Sequence, residues 1–266
     1  MCYAQILKFL GRSGNNILQL VNCLYCAFEV NKCHKIVFPM QRLLAKKEIQ
    51  NRSKDQCRCN RRFTDSKNYF FSSLSVGSMR DIAQIYIVPN LKNLVLPRVD
   101  PDTEHIFIHI RSGDIFKERP HSHYFPPPLD YYRYLIERYP RSTIVYENEM
   151  NPCIKILKEK YQNIHFQSTS LLDDLATLCR ASHLAIGYGS FGLLVYLLSS
   201  NITTLYIPSY FENDTFLYRL DWRKHGLSKL ESVDLKDYRS KMGNRWTNSK
   251  TQIQLMLNYK VSSGKT

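Results

Sequence analysis

Glu104-His-Ile-Phe-Ile-His-Ile-Arg-Ser-Gly-Asp-Ile-Phe116 is a short apolar run that ends in a polar turn, His109-Ile110-Arg111-Ser112-Gly113-Asp114. Bounded by turn residues, Ile106 to Ile110 reads as a buried strand. The strand delivers a fixed cation and a glycine turn to one rim of a sheet. In open α/β sheets ligands bind just outside the carboxyl ends of strands. An arginine at that rim suits a phosphate, because its planar fork bonds two oxygens at once.

Outward from this run the chain alternates. Leu129 to Tyr139 reads as a helix, Thr143 to Tyr146 as a strand and Pro152 to Tyr161 as a helix, with proline near the helix start, where it is tolerated. Ile164 to Phe166 reads as a strand, Leu171 to Arg180 as a helix, Leu184 to Ile186 as a strand, Ser190 to Ser199 as a helix and Thr204 to Ile207 as a strand. Upstream, Gln5 to Leu10 is a strand and Gly11 to Asn16 a tight loop. Ile17 to Val30 is a helix, with Leu18, Val21, Leu24, Tyr25 and Phe28 at helical spacing, and Ile36 to Phe38 is a second strand. Alternation of this kind predicts an α/β protein whose mostly parallel sheet is covered on both faces. Pro89, Pro97 and Pro101 mark a linker between halves. The expected organisation is a domain over 1–100 carrying a basic, exposed insertion at 41–68, a domain over 101–249, and a polar, fraying tail over 250–266.

Lysine and arginine total 37 against 23 acidic residues, a net charge of +14. Such a chain attracts anions: a nucleotide, an acidic glycan, nucleic acid or an anionic membrane. The basic insertion lacks interleaved aromatic residues that would stack bases, so nucleic acid is not the expected partner. No apolar run approaches the ~20 residues needed to span a bilayer, and the start of the chain lacks the pattern of a secretory signal. A soluble, cytoplasmic protein is expected, with the secretory lumen as the alternative for a chain whose anchor lies elsewhere. Of the 8 cysteines, Cys23 and Cys26 fall in an apolar stretch, and Cys33, Cys57 and Cys59 match no standard zinc spacing. Asp100-Pro101-Asp102 has the letters of a metal-binding pair but precedes its strand, so no metal is expected.

Four clusters fall at strand ends or helix starts. Gly11, Arg12, Gly14 and Asn15 form a glycine loop through which a ligand could approach backbone closely, or an ordinary tight turn. His109, Arg111 and Asp114 offer either a diphosphate grip or an arginine paired to its neighbouring carboxylate. Glu147 follows a strand and can accept nucleoside hydroxyls or act as a base, whereas Glu149 reads as a solvent-facing acid. Asp174 opens a stretch that runs through a strand to Gly187-Tyr188-Gly189-Ser190-Phe191. The free N–H groups and positive dipole end of the next helix make an anion site there, and Ser190 can also cap that helix.

In order and spacing these clusters resemble the fucosyltransferase superfamily of GT-B glycosyltransferases, which includes α1,2-, α1,6- and protein O-fucosyltransferases. Gly11-Arg12-x-Gly14-Asn15-Asn16 is similar to the Gly-Arg/Leu-x-Gly-Asn-Gln loop of that group, His109-x-Arg111-Ser112-x-Asp114 to its His-x-Arg-Arg-x-Asp motif, and Asp174 to Phe191 to its third region. The resemblance implies two Rossmann-like domains facing a cleft, with acceptor contacts on the N-terminal side and the nucleotide sugar on the C-terminal side. It implies transfer of a sugar, foremost fucose from GDP-fucose, to a glycan or protein hydroxyl, with inversion and without metal or other cofactor. Arg111, Arg12 and Asn15 would be catalytic. Gly11, Gly14, His109, Asp114, Glu147, Asp174, Gly189, Ser190 and Phe191 would bind substrate. The chain departs from the motifs at Ser112, where the family has a second arginine, at Asn16, and at Gly187-Tyr188-Gly189, where it is Ser-rich. Another nucleotide sugar, or a transferase fold that binds without catalysis, is the alternative.

Overall fold

The computed structural model describes residues 3–51, 61–63, 74–94, 96, 98–213 and 226–261. The chain divides into two compact units. One is Met1–Leu96 with Leu193–Ser200 and Arg219–Gly226; the other is Pro97–Gly192 with Asn201–Tyr218 and Leu227–Thr266. A boundary at residue 100 does not anticipate the return of Leu193–Ser200 to the first unit.

In the first unit, β1 (Tyr3–Ile6) leads to α1 (Ser13–Leu24), continued as a π-helical stretch over Tyr25–Val30, then β2 (Lys35–Val37), β3 (Glu48–Gln50) and β4 (Arg61–Phe63). The sheet order is β3-β2-β1-β4; β1 is parallel to β2 and β4, and β3 is antiparallel to β2. The expected strand to Leu10 stops at Ile6, where its last pairing is with Phe63 of β4. The expected helix start at Ile17 moves back to Ser13, where the Asn16 amide closes the first turn on the Arg12 carbonyl at 2.9 Å. Leu18, Val21, Leu24 and Phe28 are buried as their spacing predicts, while Tyr25 is half-buried. The basic segment 41–68 is not wholly an exposed loop, since β3 and β4 lie in it and Ile49 is buried. Its Cys57 and Cys59 lie outside the described residues. A helix the sequence reading did not place, α2 (Val76–Ile82), is capped by Ser75, whose hydroxyl accepts the Ser78 amide at 3.1 Å.

The second unit runs β5 (His105–Ile110), α3 (Leu129–Arg138), β6 (Arg141–Tyr146), α4 (Pro152–Lys160), β7 (His165–Gln167), α5 (Leu171–Cys179), β8 (His183–Ile186), the first residues of α6 (Ser190–Leu198, which from Leu193 onward belongs to the first unit), β9 (Thr204–Pro208), β10 (Lys229–Val233), α7 (Tyr238–Lys241) and α8 (Lys250–Asn258). All its strand pairings are parallel, in the order β10-β9-β8-β5-β6-β7. Ile106, Ile108 and Ile110 of β5 are fully buried, as expected of a central strand in a sheet covered on both faces. From β5 the chain builds β6 and β7 on one side, then returns to place β8 on the other. The path therefore reverses between β5 and β8. At such a switch point the two connections leave in opposite directions and open a crevice beyond the carboxyl ends of the strands. The expected polar tail over 250–266 is corrected in its first part: Lys250–Asn258 is the helix α8, capped by the Ser249 hydroxyl, with Met256 buried.

α6 is apolar along nearly its whole length and packs tightly at its start. A methyl group added to Gly192 would lie 2.6 Å from Cγ2 and 2.7 Å from Cβ of Ile186. The β-carbon of Ile186 cannot swing away. Gly192→Ala should therefore destabilise the protein by about 1–3 kcal/mol through overpacking, despite the better helix propensity of alanine. A lowered urea midpoint checks this.

Candidate active site

β5 and β8 pair in register with His109 opposite Ile186. Two residues further on, Arg111 and Tyr188 thus leave the sheet side by side, at the crevice the topology creates. Arg111 Nη2 donates to Asp114 Oδ1 at 2.6 Å. Its guanidinium carbon lies 5.7 Å from the centroid of the Tyr124 ring, which meets Tyr188 edge-on at 4.8 Å. Arg111 Nε is buried and has no hydrogen-bond partner among the described residues. Arg111 is thus paired with its neighbouring carboxylate, and its Nε donor is unused among the described residues.

Gly189 follows with φ +124, a conformation side chains rarely adopt. Its Cα faces the cation so closely that an added Cβ would lie 3.9 Å from Arg111 Cδ and 3.5 Å from Tyr124 Cε1. Ser190 then opens α6. The helix start and the guanidinium are thus brought to one place. Phe191 stacks obliquely on His109 at 4.9 Å. Gly113 takes φ +70 beneath Glu147, and an added Cβ would be 2.8 Å from Glu147 Oε2. His109, Arg111, Asp114, Glu147, Gly189, Ser190 and Phe191 consequently form one cluster.

Asp174 is employed differently. Its Oδ1 accepts the Gln167 amide at 2.9 Å, the Thr169 backbone N–H at 3.2 Å and the Thr169 hydroxyl at 2.8 Å, tying the end of β7 to α5. Gly11, Arg12, Gly14 and Asn15 belong to the first unit, at the amino end of α1. There Asn16 Nδ2 donates to the Leu10 carbonyl at 3.1 Å, and Gln19 Nε2 donates to the Leu10 and Asn15 carbonyls at 2.7 and 2.9 Å. Arg12 is exposed, and Asn15 Oδ1 is buried without a hydrogen-bond partner among the described residues. Asp102 pairs with Arg141 at 2.9 Å at the amino ends of β5 and β6, away from the carboxyl-end cluster.

The residues that fix Arg111 from behind were not singled out from sequence. Asn151 Nδ2 donates to the Arg111 carbonyl at 2.9 Å, and the Asn151 amide donates to Ser112 Oγ at 2.9 Å. Ser112 Oγ in turn donates to Asn148 Oδ1 at 2.8 Å. Ser112 and Asn151 are fully buried. Asn151 also caps α4 through the Cys153 amide. The Asn-Pro pair at that helix start was the available signal.

Residues 29–227 match the family model for glycosyl transferase family 11. The chain belongs to this family. It is therefore a glycosyltransferase of fucosyltransferase type. No curated protein sequence gives a significant match. Two crystal forms of POFUT1 in complex with GDP-fucose superpose on this family 11 chain with a TM-score of 0.45. They share 8% and 9% identity and cover 77% of this chain and 98% and 97% of theirs. A POFUT1 complex with GDP gives a TM-score of 0.42 at 8% identity, covering 77% of this chain and 98% of that one. Among the described residues no helix of the family 11 chain is long and apolar enough to cross a membrane.

His109 is buried, and its Nδ1 has no hydrogen-bond partner among the described residues. Burial, with the Arg111 cation second, pushes its pKa down from 6.5 to about 3. The imidazole beneath the site is therefore neutral. The unfolded chain binds the proton that the folded chain refuses, so this residue makes stability fall as pH drops below about 6.5. His109→Gln should flatten part of that decline between about pH 7 and about pH 5 in urea titrations, relative to wild type. An unchanged slope would contradict it.

Proposed function

We propose that this chain transfers fucose from GDP-fucose to a hydroxyl of a glycan or protein, inverting the sugar's anomeric centre by direct displacement. The observation that carries the reading is Arg111 at the rim of β5 beside the Gly189–Ser190 start of α6, at the sheet's switch point. In that displacement the hard step is charge building on the leaving diphosphate. A guanidinium and a helix amino end already in place stabilise such charge without reorganising as it forms. This is the work a metal does in other transferases, which supports a reading without one. Asp114 holds the Arg111 fork in orientation. Glu147, beside the Gly113 turn, is the carboxylate placed to meet ribose hydroxyls, while Asp174 shapes that wall through Thr169 rather than by contact. Arg12 and Asn15 are further catalytic residues in this reading.

The donor follows from the order of the three motifs, with the departure at Ser112 leaving one guanidinium where the family has two. If the donor is GDP-fucose, GDP and GDP-fucose raise the melting temperature and UDP does not. A preference for UDP would transfer the proposal to another nucleotide sugar. Arg111→Ala should cost about 3 kcal/mol or more of transition-state stabilisation, roughly a hundredfold or more in kcat/KM. Arg111→Lys should also be impaired, because an ammonium cannot reproduce the fork. Donor turnover of Arg111→Ala within a few-fold of wild type would remove Arg111 from this role.

A further inference from the structure

The family match ends at residue 227. Beyond it, the segment between α7 and α8 makes the hydrogen bonds that fix the loop after Arg111. The Trp246 indole Nε1 donates to the Ile115 carbonyl at 2.6 Å, and the Trp246 backbone N–H donates to the Ser122 carbonyl at 2.7 Å. Asn248 Nδ2 donates to the Phe116 carbonyl at 2.8 Å. The indole is 1% exposed, and its ring meets Phe116 edge-on at 5.8 Å. The segment is itself braced, since Gln252 Nε2 donates to the Met242 and Arg245 carbonyls at 2.8 and 2.7 Å.

We propose that Trp246 is a positioning residue for the diphosphate site: its indole fixes the Gly113–Phe116 turn and, through that turn, the Asp114 carboxylate that orients Arg111. The inference rests on the donor reading above. Asp114 lies between Gly113, in the left-handed region, and Ile115, whose carbonyl faces Trp246. A buried carbonyl must find a donor, and an indole N–H is a donor only, so this bond has one direction and one geometry. Without it the turn has a reason to rearrange, and the residue that moves with it is the partner of Arg111. Preorganisation lost in this way appears as weaker binding rather than as a missing contact. The part of the chain outside the matched region thereby belongs to the working site.

Trp246→Phe keeps a ring against Phe116 and removes the donor together with part of the indole's volume. Calorimetry, at a temperature where circular dichroism shows the variant folded, should show GDP bound about tenfold more weakly than by the wild-type protein. Affinity within about twofold of wild type would overturn the proposal. Should the variant fail to fold, the native sequence still decides. Protein labelled with 5-fluorotryptophan carries two fluorine resonances, from Trp222 and Trp246, assigned with Trp222→Phe. GDP should move the Trp246 resonance in the wild-type protein and leave it in place in Arg111→Ala. Heat of GDP binding with the Trp246 resonance unmoved would overturn the coupling while leaving the donor reading intact. No heat of GDP binding to the wild-type protein would overturn the donor reading and this proposal with it.

Discussion

The parallel register of β5 against β8 is the constraint on which the site depends. His109 faces Ile186, and side chains alternate along a strand, so a slip of one residue would turn Arg111 from the rim toward a packed face. Register here is strongly specified because Ile106, Ile108 and Ile110 must stay buried. The hydrophobic pattern of five residues thus sets where a cation stands relative to the start of a helix. The order of the neighbouring strands sets whether anything can reach it. β6 and β8 lie on opposite sides of β5, the arrangement in which open α/β sheets leave room beyond the strand ends.

A second layer of polar residues converts position into orientation. The Arg111 side chain is held by Asp114 in front, and its backbone by Asn151 behind. Ser112 and Asn148 join the turn after β5 to the turn after β6. Buried polar groups of this kind stiffen a site only when every member is satisfied. At Ser112 that condition is met, with a donor and an acceptor both in place. His109 completes the support in another way: it is large, neutral and packed on Phe191. It holds apart the two chain segments that form the cluster without adding a second charge beside Arg111.

Much of the second unit was legible because its strands are short, continuously apolar and separated by helices with clear punctuation. Arg111, Gly189 and Ser190 were legible as well, since a rim residue is read from where a buried run stops. The misreadings have physical causes. Leu7 to Leu10 look like strand, but a strand needs a neighbour, and the pairings of β1 end at Gln5 with β2 and at Ile6 with β4. α1 begins early because its first turn is closed by backbone alone; Arg12 makes no capping bond with its side chain. β3 and β4 were hidden in a charged segment because pairing depends on partners far along the chain. By contrast, α8 could have been found, because Ser249 and Gln252 stand three apart as a helix start requires. The strand order could not be read, since nothing local in β8 says which side of β5 it will take.

The burial of Ser112 bears on how this sequence can change over generations. Its hydroxyl both gives and receives a hydrogen bond in a space closed to water. A guanidinium introduced there would have no room and would strand two partners, Asn148 and the Asn151 amide. Recovering the family's paired arginines would need concerted replacement at positions 112 and 148 and relocation of the backbone at 151, steps whose costs are not independent. The single-arginine site is therefore hard to leave by one mutation at a time, and selection for a tighter hold on an anionic ligand would have to act on other residues.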